Sequence, residues 1–89
     1  MLRIKLSKES VKFVKKLLPK HQKQIGSKIQ ELREKGGSAD SRPLIGFPYF
    51  RADVGEYRII YEIENDVLLL ILLIGKRNDD EVYKRLGRK

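Results

Sequence analysis

The sequence predicts a small α+β domain in which a helical hairpin packs on one face of a mostly antiparallel sheet. Three patterns predict this class. Apolar and basic residues alternate at the N-terminus, as expected of a half-buried strand. Two stretches with helical spacing of apolar residues follow, and three strand-like stretches separated by tight turns come next. Residues 1–89 are enough for one domain only, so we treat the chain as a single unit.

The first half of the chain predicts a strand followed by two helices. Residues 2–6 alternate apolar and basic side chains and predict the strand. Ser7 can cap the first helix, because its hydroxyl can accept hydrogen bonds from the free amides of the first turn. Pro19 interrupts the helical pattern, so a second helix is expected from about Lys20. The glycine pair 36–37 ends that helix and completes a helical hairpin.

The second half predicts three strands and a short final helix. Residues 36–48 are rich in Gly, Ser and Pro and are expected to form a loop. The expected strands are Tyr49–Val54, Tyr57–Glu64 and Val67–Ile74, with two-residue turns at 55–56 and 65–66. The last of these strands is apolar on both faces, so we expect both faces to be covered. A short helix is expected from Asp79 to Leu86, which gives the order β-α-α-β-β-β-α.

The basic residues are concentrated in the first half of the chain. The formal net charge is +8. Residues 1–45 contain 12 Lys and Arg against 4 Asp and Glu, whereas residues 46–89 contain 8 of each kind. A basic block of this sort favours a polyanionic partner such as RNA, DNA, the ribosome or an acidic protein. The ordinary alternative is a solvated, lysine-rich helix face.

Composition and spacing exclude several kinds of site. The chain has no cysteine, which rules out disulfides and thiol catalysis and favours a cytoplasmic location. It has no metal-ligand spacing and no glycine-rich phosphate loop, so we expect no metal and no cofactor. The longest apolar run, Val67–Ile74, is too short to cross a bilayer, so no membrane association is expected. The single histidine, His21, is interpreted as a surface or capping residue at the start of the second helix, remote from the sheet surface.

Side-chain alternation places several charged residues on one face of the sheet. Arg51 and Asp53 share a face of the first hairpin strand, and Arg58 lies on the less apolar face of the next strand. If the helices cover the apolar faces, Arg51 and Arg58 emerge together on the open face. Lys76 and Arg77 begin the loop after the last strand. The sequence therefore predicts a cationic surface on the open face of the sheet.

Two segments resemble the toxins of the RelE/ParE superfamily, which belong to type II toxin–antitoxin systems. Phe50–Ile63 is similar to the middle of those toxins, where a basic strand and a Gly turn precede Tyr-Arg-hydrophobic-hydrophobic-Tyr. Ile74–Tyr83 is similar to their Gly-(Lys/His)-Arg motif with a Val/Ile-Tyr pair a few residues later. The order and spacing of these motifs resemble the RelE-type mRNA interferases most, and the predicted topology is also that of the family.

The resemblance implies an endoribonuclease that acts in the A site of the small ribosomal subunit and is held inactive by a cognate antitoxin protein. The 2′-hydroxyl of the mRNA attacks the adjacent phosphate, so the reaction needs no metal, only cations at the phosphate and groups that move protons. The residues at the catalytic positions of the family are Arg51, Arg58, Arg77 and Tyr83. The residues expected to bind RNA are Lys76, beside the phosphate, and Lys12, Lys15 and Lys16 on the first helix.

One residue departs from the RelE-type pattern. Asp53 stands two positions after Arg51, where the ribosome-dependent template has a second basic residue. The Asp53 carboxylate is expected either to repel the mRNA backbone or to act as a proton acceptor. Two other functions therefore stay open. One is a ParE-like inhibitor of DNA gyrase, which does not need the cationic residues, and the other is an inactive remnant that only binds its antitoxin.

The candidate residues also have ordinary structural interpretations. Arg58 is then a surface arginine paired with Glu56 or Glu62. Arg51 is an exposed strand charge, and Tyr83 is a core residue of the last helix. The contacts of each side chain distinguish these interpretations from the functional ones.

Overall fold

The computed structural model describes residues 1–37, 41–77 and 81–87. Within these ranges the chain forms five strands and three helices. They are β1 (Arg3–Leu6), α1 (Lys8–Lys15), α2 (Pro19–Lys35), β2 (Ser41–Pro43), β3 (Phe50–Val54), β4 (Tyr57–Glu64), β5 (Leu68–Lys76) and α3 (Glu81–Leu86). The predicted order is confirmed, with one short strand added. The predicted start of the last helix, Asp79, lies outside the described residues.

The sheet has the strand order β1-β5-β4-β3-β2. β1 is parallel to β5 and the other neighbours are antiparallel, so the predicted α+β class is confirmed. The loop expected over 36–48 is wrong for residues 41–43, which form β2. Three residues are too few to produce a periodic pattern, and this strand forms because the edge of β3 offers backbone groups for pairing. Pro43 at its end is tolerated because β2 is an edge strand.

The ends of the helical hairpin follow from local residues. The Ser7 hydroxyl accepts a hydrogen bond from the amide of Ser10 at 3.1 Å, which confirms the predicted cap. α2 begins at Pro19, and Leu18 before it is extended, as expected of a residue that precedes proline. α2 ends before Gly36, whose φ of 70° is a left-handed conformation that glycine adopts without strain.

The main core lies between the sheet and the two N-terminal helices. Its buried members are Ile25, Ile29 and Leu32 of α2 and Ala52, Tyr57, Ile59, Tyr61, Leu69, Ile71 and Ile74 of the strands. The strand residues lie on the faces of β3 and β4 that alternation predicts to be apolar. Full burial of a large aliphatic side chain stabilises a fold by roughly 1.5–3 kcal/mol. Most of the stability of the domain therefore originates on this face.

His21 does not have the role expected from the sequence. Its Nδ1 lies 2.6 Å from the hydroxyl of Tyr57, and its ring packs edge-on against the same tyrosine. The interpretation as a surface or capping residue is therefore wrong, although His21 does lie away from the open surface of the sheet, on the helix-covered face. Tyr57 is buried, and a buried hydroxyl requires a hydrogen-bond partner, which His21 supplies. The pair ties α2 to β4 on the helix-covered face.

A smaller apolar cluster covers part of the opposite face. It consists of Leu44, Ile60, Leu73, Val82 and Leu86. A bulge in β5 opposite the step from Ile60 to Tyr61 directs Leu73 to this cluster and Ile74 to the main core. The prediction that the apolar last strand is covered on both faces is therefore confirmed. None of the described helices is both long and apolar enough to span a bilayer.

Candidate functional site

The β3–β4 hairpin brings opposite charges together on the open face. Gly55 begins the turn with a φ of 55°, a conformation that glycine adopts without strain. The register of the hairpin sets Asp53 directly opposite Arg58. Residues two apart on a strand share a face, so Arg51 lies on the same side. The predicted meeting of Arg51 and Arg58 on one face is confirmed, and a carboxylate lies between them.

Asp53 binds both arginines. Arg58 Nε donates to Asp53 Oδ1 at 2.8 Å, and Arg58 Nη2 donates to Oδ2 at 3.3 Å. Arg51 Nη1 donates to the same Oδ2 at 3.3 Å. The side chains of Arg58, Asp53 and Arg51 are 13%, 19% and 29% exposed. The three groups form a partly desolvated charge cluster, in which the attraction between the charges is screened less than between fully exposed groups.

The cluster fixes the charge state of its members. Burial raises the pKa of the Asp53 carboxyl, but the hydrogen bond from Arg58 and the charges of Arg58, Arg51 and Arg77 outweigh burial and hold that pKa below its ordinary value of 3.8. The hydrogen bond to Asp53 raises the pKa of Arg58 above its ordinary value. Both groups are therefore ionised at neutral pH, and Asp53 is a weak proton acceptor.

Tyr83 joins the cluster from α3. Arg58 Nη1 donates to the Tyr83 hydroxyl at 2.9 Å, and the guanidinium carbon lies 5.6 Å from the centre of the Tyr83 ring. The ring also packs against the smaller apolar cluster, which includes Ile60. Both interpretations of Tyr83 therefore hold in part, because the ring packs as a core residue while the hydroxyl contacts a charged group.

The position of Tyr83 depends on how α3 docks on β5. Gly75 provides the space for this docking, because a Cβ at that position would lie only 2.8 Å from Val82 Cγ1. Arg85 also ties α3 to the rest of the domain, donating to the carboxylate of Glu9 at 2.8 Å and to the carbonyl of Ile74 at 3.4 Å. The glycine of the Gly-Lys-Arg motif thus has a packing role.

Arg77 lies at the edge of the same cluster. Its backbone amide donates to the carbonyl of Glu56 at 3.0 Å, and its Nη1 donates to the carbonyl of Gly55 at 3.3 Å. These bonds hold the residue over the β3–β4 turn, where its charge contributes to the lowered pKa of Asp53. Lys76, at the end of β5, is exposed beside it. The open face thus brings together the four predicted catalytic residues.

Comparison with known proteins identifies the family. Residues 4–81 match the family described as the ParE toxin of type II toxin–antitoxin systems, parDE. The chain belongs to this toxin family. The resemblance of the sequence to RelE/ParE-superfamily toxins is thereby confirmed. No curated protein sequence matches the toxin.

The toxin has the fold of RelE. It is similar to the archaeal RelE–RelB complex from Pyrococcus horikoshii OT3, with 26% identity and a TM-score of 0.76 over 88% of this chain and 97% of that chain. A mutant of the Escherichia coli toxin RelE in the free state has 21% identity and a TM-score of 0.80, over 98% and 95% of the two chains. The RelBE2 complex from Mycobacterium tuberculosis has 20% identity and a TM-score of 0.73, over 85% and 98%.

The predicted RNA-binding lysines of the toxin lie in two places. Lys76 is exposed at the end of β5, next to Arg77 in sequence but directly opposite Tyr57 in the sheet. Lys12 and Lys15 are exposed on α1, and Lys16 is exposed at its C-cap. Lys12 and Lys16 line a shallow groove together with Arg85 of α3. The α1 lysines are therefore not part of the open-face cluster, and they form a separate basic surface of the toxin.

The sequence did not reveal the partner of Arg58. Its pattern suggests Glu56 or Glu62, but the described contacts of Arg58 are with Asp53 and Tyr83. Glu62 shares a face with Arg58 but lies four residues away, about 13 Å along an extended strand. Burial, and then the neighbouring Glu64, raise the pKa of Glu62. The hairpin register could have predicted this partner, because a two-residue turn at residues 55–56 sets Asp53 directly opposite Arg58.

The cluster can bind and stabilise anions. Arg51, Arg58 and Arg77 supply guanidinium donors that match the oxygens of a phosphate, and the Tyr83 hydroxyl can donate a proton or a hydrogen bond. Because the Tyr83 oxygen accepts from Arg58, its own hydrogen remains available for a second partner. Among the described residues, no three His, Cys, Asp or Glu side chains are grouped as metal ligands would be.

Proposed function

We propose that this toxin is a ribosome-dependent endoribonuclease that cleaves mRNA in the A site of the small subunit. The observation that carries the proposal is the contact between Arg58 and Tyr83 on an open sheet face that also holds Arg51 and Arg77. A cation in hydrogen-bond contact with a phenol provides charge stabilisation and a proton donor at one place, and RNA cleavage by transesterification requires both.

Each residue has a distinct role in this reaction. The 2′-hydroxyl of the mRNA loses its proton to solvent water and attacks the adjacent phosphate, which forms a 2′,3′-cyclic phosphate as the bond to the 5′-oxygen breaks. The nucleophile therefore belongs to the substrate, and the reaction is metal-independent. Arg58 and Arg77 stabilise the negative charge that develops on the phosphorane, and Arg51 binds the flanking backbone. Tyr83 protonates the leaving 5′-oxygen, and Arg58 supports this transfer by donating to the phenolic oxygen. Asp53 is not the general base, because its lowered pKa makes it a weak proton acceptor.

The partners follow from the charge distribution. The exposed lysines of α1 contact ribosomal RNA, and Lys76 contacts an mRNA phosphate. Several similar structures are complexes of RelE with the antitoxin RelB, so we propose a cognate antitoxin for this toxin as well. The +8 charge of the chain would speed association with an acidic antitoxin at low salt. Ribosome, mRNA and antitoxin place the site of action in the cytoplasm.

Cleavage mapping in a translating extract tests the proposal. Primer extension should detect new 5′ ends within the reading frame when the toxin is added, and free RNA should be cut poorly, because a few side chains cannot by themselves position a flexible strand. Arg58→Ala and Arg77→Ala should each lower the single-turnover rate by roughly 100- to 1,000-fold, as removal of an oxyanion-stabilising donor does.

The matched control is Arg3→Ala. Arg3 is an exposed arginine at the opposite end of the sheet, where it pairs with Leu68, whereas Arg58 pairs with Gly75. Its loss removes the same charge but should leave the cleavage rate nearly unchanged. Wild-type rates in both Arg58→Ala and Arg77→Ala, with unchanged thermal unfolding, would refute the nuclease assignment.

A second candidate function is inhibition of DNA gyrase. Two observations favour it, the match to the ParE toxin family and the engagement of Arg58 and Arg51 by Asp53. A supercoiling assay with purified gyrase distinguishes the two functions. Inhibition of supercoiling without mRNA cuts would establish the gyrase inhibitor, and the absence of both effects would indicate a remnant that only binds its antitoxin.

A further inference from the structure

A carboxylate occupies the hydrogen-bonding edge of Arg58. The Nε and Nη2 groups of Arg58 point to the two oxygens of Asp53, and its Nη1 points to Tyr83. Arg51 contributes one further donor to Asp53 Oδ2. The Nε–Nη2 edge is the side-on fork with which arginine binds either a carboxylate or a phosphate through two parallel bonds. The fork that a substrate phosphate requires is therefore already filled from within the chain.

We propose that Asp53 is an internal competitor of the substrate phosphate, so that an RNA phosphodiester binds Arg58 and Arg51 by displacing the Asp53 carboxylate. The ligand class rests on the proposed function, whereas the competition rests on the contacts of Asp53. Asp53 thereby sets the affinity of the toxin for RNA and takes no part in the catalytic roles assigned above.

The geometry of the cluster allows this exchange. Asp53 retains 19% exposure, and its bonds to Arg51 Nη1 and Arg58 Nη2 are both long, at 3.3 Å. Only the bond from Arg58 Nε, at 2.8 Å, is short. A phosphodiester offers two unesterified oxygens, and these can take the same two donors while Tyr83 keeps the third. The exchange thus replaces one bidentate anion with another.

The displaced carboxylate stays close to the incoming phosphate. Asp53 is fixed on β3 opposite Arg58, so its negative charge remains beside the bound RNA and repels it. The affinity of the toxin for free RNA is consequently low. RNA therefore binds the cluster only where a larger assembly such as the ribosome holds the RNA in place. This self-competition gives a physical reason for dependence on the ribosome.

A binding measurement with uncleavable RNA tests the competition. The probe is a fluorescent single-stranded oligoribonucleotide with a 2′-O-methyl group at every position, which removes the nucleophile. Asp53→Asn keeps the size of the side chain but weakens its hold on the fork. The matched control, Asp66→Asn, makes the same charge change in the β4–β5 turn, where a φ of 60° suits asparagine.

We expect Asp53→Asn to bind the oligonucleotide about tenfold more tightly than Asp66→Asn, the equivalent of one charge-assisted hydrogen bond. The slope of log affinity against log salt should steepen by about 0.7, as for one additional phosphate contact on a single strand. In the double variant Asp53→Asn with Arg58→Ala, compared with Arg58→Ala alone, the gain should be much smaller, because the fork of Arg58 is absent and only the release of Arg51 and the lower repulsion remain.

Three results would overturn the proposal. The first is equal affinity of Asp53→Asn and Asp66→Asn, and the second is a gain that stays at its full tenfold without Arg58. The third is weaker binding by Asp53→Asn, which would make Asp53 a residue that positions Arg58 for RNA. Thermal unfolding checks each variant, and Asp53→Ser replaces Asp53→Asn if that variant fails to fold. The assay needs neither ribosome nor cleavage, so a tenfold gain without mRNA cuts in extract would refute only the nuclease function.

Discussion

The two faces of the sheet differ in burial and charge, and neighbouring residues of β4 show the difference. Ile59 points to the helix-covered face and is fully buried among apolar side chains, where the hydroxyl of Tyr57 is satisfied by His21. Arg58 points to the other face, which α3 covers only in part, and it remains 13% exposed. Stability is thus concentrated on one face, while the other holds charges that retain access to solvent and to a ligand.

Truncating one residue on each face should give the largest difference. Ile59→Ala should lower the free energy of unfolding by about 4 kcal/mol, because the enclosed main core cannot collapse around the cavity. Ile60→Ala should lower the free energy of unfolding by only about 2 kcal/mol, because the short helix α3 can shift to fill the space. Urea unfolding measures both values. Equal costs would mean that the smaller cluster is as rigid as the main core.

Gly75 connects the apolar cluster with the charge cluster and should give the next largest effect. Gly75→Ala places a Cβ 2.8 Å from Val82 Cγ1, so overpacking should destabilise the toxin by about 2 kcal/mol and displace Tyr83. The double variant with Val82→Ala restores the space. We expect it to be more stable than the sum of the two single changes predicts, as measured by thermal unfolding. Strict additivity would show that α3 does not rest on Gly75.

The smallest expected effect is the change in the free energy of unfolding on acid titration of Asp53, a residue of the open face. The pKa of Asp53 is lowered in the folded state, so its contribution to stability is complete above its ordinary pKa of 3.8 and is lost as the pH falls through the folded value. The stability advantage of wild type over Asp53→Asn, about 1 kcal/mol at pH 7, should therefore decline as the pH falls below 3.8 and vanish once the pH is below the lowered pKa of the folded state.

Arg58→Ala provides the background for this titration. Without Arg58 the largest favourable influence on the Asp53 carboxylate is gone, so the stability difference that Asp53→Asn produces should depend much less on pH. Urea unfolding at a series of pH values measures the effect of Asp53→Asn in both backgrounds. An unchanged pH profile in the Arg58→Ala background would assign the lowered pKa to another group.

Local signals were sufficient for most of the elements. The alternation of residues 2–6, the cap at Ser7, the break at Pro19 and the stop at Gly36 act within a few residues, so each could be predicted from the sequence. The alternation along β3 and β4 also predicted that Arg51 and Arg58 share the open face. Arg77 and Tyr83 were found through the family motif, since no periodic pattern links a loop and a short helix to a distant hairpin.

The sequence by itself determined the order of the elements, the apolar and charged faces of the hairpin, and the basic character of the first half. Only the tertiary structure decided that Asp53 fills the fork of Arg58, that Val82 rests on Gly75, and that His21 binds Tyr57. The physical reason is the range of the interaction. Periodicity and caps act over a few residues, whereas these contacts depend on strand register and helix docking, which form when the whole chain packs together.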